Sequence, residues 1–77
     1  MVSRKVFLDT VEQAKAFVDL ITPYPYEIDL ISGRFLVDAK SILGIFSLDI
    51  SKPVRIDIHA EECDVLLEQL KPYLVEE

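Results

Sequence analysis

Apolar and polar residues alternate along this chain at two different periods, and the periods mark where strands and helices fall. The sequence Arg4, Val6, Leu8 set against Lys5 and Phe7 predicts a short first strand ending at Asp9. Thr10-Val11-Glu12-Gln13 has the form of a capping box, in which the Thr hydroxyl and the Gln amide each satisfy a free backbone N–H. A helix is therefore expected to begin there. Val11, Ala14, Phe17, Val18 and Ile21 then recur at helical spacing, until Thr22-Pro23-Tyr24-Pro25 removes two N–H donors and forces an extended connection.

The runs 26–31 and 34–38 are strand-like and are separated by Ser32-Gly33, where glycine supplies the positive φ of a tight hairpin turn. Ser41 precedes the apolar run 42–48, which is read as a short, partly exposed helix capped by that serine. The segment from Val54 to His59 alternates without a break. It places Val54, Ile56 and Ile58 in a core and Arg55, Asp57 and His59 on the other side. Glu61 and Glu62 suit a helix N-terminus, and Cys63, Leu66, Leu67, Leu70 and Leu74 trace a helical stripe that Pro72 should kink or end. The order is βαββαβα. It predicts an α+β fold, a four-stranded, largely antiparallel sheet with helices on one face.

At 77 residues the chain allows one domain, 1–77, built around one core. Its net charge of −6 repels phosphate backbones and anionic membranes, and its basic residues are too sparse to form a local patch, so no nucleic acid and no membrane partner is expected. The apolar runs are far shorter than the roughly 20 residues of a spanning helix. The N-terminus shows no leader pattern, which makes a cytoplasmic address the expectation. Cys63 is the only cysteine and reads as a small buried apolar residue. One thiol and one distant histidine make a poor zinc set, so no metal and no cofactor is expected. With Gly33 and Gly44 as the only glycines, phosphate-cradling loops are excluded, and no nucleophile with a nearby base stands out.

The segment Val37-Asp38-Ala39-Lys40-Ser41-Ile42-Leu43-Gly44-Ile45-Phe46-Ser47-Leu48 resembles the signature V-N-L-K-S-I-M-G-V-M-S-L of the HPr phosphocarriers of the bacterial sugar phosphotransferase system. The similarity continues from Val54 to Glu61, where that family has I-T-I-x-A-E, and upstream of Arg34 only the periodicity agrees. The resemblance implies an HPr-like open-faced sandwich. In the family, a loop reading G-[IL]-H-A-R-P-A after the first strand carries a histidine that takes phosphate from enzyme I, and an arginine that steadies it. Counting back from Ser41 without gaps, these positions fall on Thr10 and Glu12. Threonine has no ring nitrogen for a phosphoramidate, and a carboxylate repels a phosphoryl dianion.

The resemblance also implies that Ser41 matches the serine phosphorylated by a dedicated HPr kinase in many Gram-positive bacteria. The short-helix side chains Ile42, Leu43 and Phe46 match an exposed patch that docks onto protein partners. The expectation is a regulatory or protein-interaction module and not an enzyme, with phosphotransferase-system components or an HPr kinase as partners, as a monomer or weak dimer. An atypical phosphocarrier using His59 as acceptor is an alternative. So is an ACT-like small-ligand domain, although the glycine that such domains carry after the first strand is absent from Leu8-Asp9-Thr10-Val11-Glu12.

Overall fold

A computed structural model describes residues 1–75, so the last two residues of the expected unit 1–77 lie outside the described residues. The elements run β1 (Val2–Val6), α1 (Val11–Ile21), β2 (Glu27–Ser32), β3 (Phe35–Asp38), α2 (Ile42–Phe46), β4 (Val54–His59) and α3 (Asp64–Leu70), followed by a 3-10 turn at Lys71–Tyr73. The strands form one sheet in the order β1-β4-β2-β3, and every neighbouring pair is antiparallel. The expected α+β sandwich with helices on one face is the observed architecture.

β4 lies between β1 and β2, so its side chains meet neighbours on both sides. Val6 pairs with Val54, and the row Ile28–Ile58 continues the same apolar face. Against this face pack Ala14, Phe17 and Ile21 of α1, Ile45 of α2, and Leu66 and Leu70 of α3, all buried. The Phe17 ring stands edge-on to Tyr73 at 5.8 Å, which ties α1 to the segment after α3. Cys63 is buried as expected, and desolvation pushes its thiol pKa up.

Local signals account for most element boundaries. Thr10 Oγ1 accepts the Gln13 N–H at 3.1 Å, which is half of the expected capping box. The reciprocal half is replaced, because the Thr10 N–H turns back to the Leu8 carbonyl. Ser41 Oγ accepts the Gly44 N–H at 3.2 Å and starts α2. A Cβ at Gly44 would lie 3.2 Å from Val37 Cβ, so the glycine lets α2 sit close on β3.

Several expectations are corrected. The hairpin turn is Gly33-Arg34 rather than Ser32-Gly33, since Ser32 pairs with Phe35; Gly33, at φ 58°, takes the first central position of a type II′ turn. β1 starts and ends two residues earlier than predicted, because its extent is set by pairing with β4 and not by its own alternation. Val11 is half exposed, at 51%, since it lies in the first turn, ahead of the core-facing Ala14. α3 begins at Asp64, beyond Glu61 and Glu62, with no side-chain cap. Pro72 ends the α-helix, as expected, with a 3-10 turn in place of a further α-helical one. Leu74 then bridges to Val6, and the Val75 N–H donates to the Lys5 carbonyl, so these two residues lie along the outer edge of β1.

The largest departure is Asp57. It points to the open face as predicted, yet it is only 6% exposed. The Ser3 hydroxyl donates to Oδ1 at 2.7 Å, and the Arg55 guanidinium holds both carboxylate oxygens, at 3.1 Å each. Burial pushes the Asp57 pKa up, but the Ser3 hydrogen bond and the Arg55 hydrogen bond and charge pull it further down, and the net shift is downward. A depressed native pKa gives stability that is complete above the unfolded-state value and is lost as the pH falls through the native one. The Asp57→Asn variant should therefore lose less thermal stability than the parent as the pH falls below about 4. Parallel melting-temperature profiles for the two proteins would refute this coupling.

Candidate functional site

The turn between β1 and α1 is short and specific. Asp9 adopts φ 49°, the only positive value at a non-glycine among the described residues. Aspartate is among the few L-residues that tolerate this region. The left-handed step bends the chain so that the Thr10 N–H reaches the Leu8 carbonyl, closing a three-residue turn. Thr10 then leaves the turn in an extended conformation with its hydroxyl on the Gln13 N–H, and Glu12 occupies the first turn of α1, exposed. Thr10 and Glu12, the positions matched above to a histidine and an arginine, are thus a helix cap and an acidic first-turn residue favoured by the helix dipole. The unusual backbone of Asp9 was not visible in the sequence, since aspartate is common in loops of ordinary conformation.

His59 lies elsewhere. β1 and β4 are antiparallel with Val6 opposite Val54 and Val2 opposite Ile58, so His59 sits at the end of the sheet where β1 begins, while Thr10 follows the end where β1 finishes. The length of β4, roughly 15–20 Å at strand rise, separates the two ends. On the open face His59 Nε2 stands 2.8 Å from Asp29 Oδ2, and these two groups form an ion pair when the imidazole is protonated. The sheet register sets Ser3, Asp57, Asp29 and Asp38 in one row across that face. Among the described residues no group of three or more His, Cys, Asp or Glu is arranged to hold a metal ion. Among the same residues no helix is long and apolar enough to cross a membrane.

The remaining predicted residues converge on α2. Ser41 is half-buried at its start, with its hydroxyl on the Gly44 N–H. Leu43 is 79% exposed and Phe46 is 41% exposed, while Ile45 between them is fully buried. A short helix with Ile45 turned inward must turn Leu43 outward, and apolar composition alone does not reveal this. Ile42 is intermediate: it packs on the edge of the core and lines a shallow hollow of ≈ 240 Å³ with Lys15, Val18 and Asp19 of α1. Just upstream, Lys40 donates its ammonium to the Tyr24 carbonyl, and its N–H goes to Asp38 Oδ1 at 2.9 Å, which anchors the approach to α2. The structure therefore brings Ser41, Ile42, Leu43 and Phe46 into one surface region.

Comparison with known proteins places this geometry. The chain matches the family model "PTS HPr component phosphorylation site" over residues 11–74, a stretch that begins immediately after Thr10. No curated protein matches in sequence. The fold is similar to that of HPr-C-His from Thermoanaerobacter tengcongensis, with a TM-score of 0.77 and 22% identity over 94% of this chain and 89% of that one. A phosphocarrier protein HPr from Bacillus anthracis str. Ames is similar at a TM-score of 0.75 and 26% identity, over 96% of both chains. A histidine-containing phosphocarrier protein from Mycoplasma is similar at a TM-score of 0.73 and 12% identity, over 92% of this chain and 89% of that one. With the family model matching most of its length and the same α+β sandwich in its structural neighbours, this chain belongs to the HPr family of the phosphotransferase system.

Proposed function

We propose that this chain is a non-catalytic member of the HPr family, a regulatory or protein-interaction module that does not pass a phosphoryl group through histidine. The observation that carries this reading is Thr10, at the position matched to the family's histidine, with its hydroxyl on the Gln13 N–H. Glu12 adds a negative charge where the family's arginine would steady a phosphate. The only histidine, His59, is distant from that loop and faces Asp29. In this reading the chain is a single cytoplasmic domain, monomeric or weakly dimeric, that works by binding proteins.

The binding surface in this proposal is Ile42, Leu43 and Phe46, with Ser41 as a regulatory phosphorylation site at its edge. Exposed apolar side chains on a short helix support it, since isolated large side chains at such exposure contribute little to the chain's own folding. A phosphate on Ser41 would place nearly two negative charges beside this apolar surface and next to Lys40, changing which partners can dock. The partners are phosphotransferase-system proteins or an HPr kinase.

Two outcomes are expected. Incubation with enzyme I and phosphoenolpyruvate should leave no acid-labile phosphate on the chain, and His59→Ala should behave as the parent; a phosphohistidine at residue 59 would end the proposal. An HPr kinase and ATP should phosphorylate Ser41, and Leu43→Asp should weaken binding of such partners by about tenfold or more while shifting the melting temperature little, as for most exposed positions. Titration calorimetry on the parent and the variant measures the first effect, and thermal unfolding the second.

A further inference from the structure

The two edges of the sheet are treated differently. Along β1, Leu74 and Val75 cover the outer edge through the bridge to Val6 and the Val75 N–H to Lys5 carbonyl bond. Along β3, no described segment pairs with the outer edge. Natural edges are usually blunted by shortness, charge, proline or a bulge, and β3 is short, with Arg34 and Asp38 at its two ends. Residues 34–38 contain no lysine or proline, and Phe35 and Leu36 are each 64% exposed, on opposite faces of the strand.

The hairpin turn fixes which backbone groups look outward. Ser32 and Phe35 flank the turn, so the Phe35 N–H closes it toward the Ser32 carbonyl. By alternation Val37 also faces β2, while Leu36 and Asp38 present their N–H and C=O groups away from it; Arg34 closes the turn, and its carbonyl, opposed to the inward Phe35 N–H across a trans peptide, points away as well. The Asp38 carbonyl is engaged by the Ser41 N–H at 3.0 Å. The other outward groups of these three residues point away from the chain's own sheet.

We propose that β3 pairs with β3 of a second copy of this chain, in a two-fold antiparallel contact centred on Leu36 that joins two sheets into one of eight strands. The register follows from the backbone, since only residues with outward groups can pair. Centring on Leu36 sets Leu36 against Leu36 and Arg34 against Asp38 at both ends, where the Asp38 N–H of each copy meets the Arg34 carbonyl of the other, so all three residues of each copy take part. A shift by two residues leaves one of the three unpaired and sets Leu36 against Arg34 or against Asp38. Charge selects the same register. Arg34 has no ion-pair partner among the described residues, and Asp38 carries only the Lys40 N–H on Oδ1. On the helix side Phe35 then lies beside Val37 of the other copy, and on the open side the two Leu36 side chains meet. Four-residue strands bury far less than the roughly 1,200–2,000 Å² of a tight complex, so the dimer is weak and its population depends on concentration.

Sedimentation equilibrium and amide chemical shifts, followed up to about 1 mM chain, test the pairing. Association should appear, with the largest shifts at Arg34, Leu36 and Asp38. Arg34→Asp and Asp38→Arg, each confirmed folded by circular dichroism, should each weaken it by about tenfold. An equimolar mixture of these two variants should recover it, because both ion pairs re-form across the mixed dimer. A parent that stays monomeric at that concentration would leave the edge to an extended segment of some other protein and overturn the proposal. Association with shifts confined to α2, or a mixture no tighter than either variant alone, would overturn it as well.

Discussion

The structure depends on β4 being the one strand with covalently distant neighbours on both sides and an apolar row facing the helices. Val54, Ile56 and Ile58 are each buried, and every helix rests on the face they share with Val6, Ile28 and Leu30. Burying one large aliphatic side chain contributes about 1.5–3 kcal/mol, so this face accounts for a large part of the driving force for folding. The other elements are arranged by the need to reach it. α1 begins where Asp9 turns the chain back over the sheet, and α2 approaches β3 closely because Gly44 lacks a Cβ.

The same one-sided arrangement gives the molecule two dissimilar surfaces. Helices cover one face and hold the α2 region with Ser41, Leu43 and Phe46 at the rim. The open face carries charge in ordered rows, with Asp57 held by Ser3 and Arg55 and His59 by Asp29. His59 is therefore part of the polar lattice of a bare sheet and is remote from the β1–α1 turn. The β1–α1 turn is organised around the left-handed Asp9 and the Thr10 cap of α1.

Features governed by neighbours in sequence were legible before the structure. The caps at Thr10 and Ser41, the interruption after α1, the alternation of β4 and the effect of Pro72 all follow from a few adjacent residues, and they appear where expected. Features governed by distant neighbours were not. The extent of β1 is decided by β4, the burial of Asp57 by a serine that is 54 positions away, and the pairing of Leu74 with Val6 by the fold as a whole. On α2 the sequence placed a short, partly exposed helix, but only the inward rotation of Ile45 decides that Leu43 points outward.

The strand order also bears on how the chain is made. β1 is synthesised before its partner β4, which comes from the last third of this sequence, and among the described residues its outer edge is closed by Leu74 and Val75. Only the β2–β3 hairpin and the helices have local partners, so a growing chain carries its first strand unpaired until nearly all of it has emerged. The adjacent positive charges of Arg4 and Lys5 on that strand keep it hydrated during the wait, a use for basic residues in an acidic protein that concerns its birth rather than its finished form.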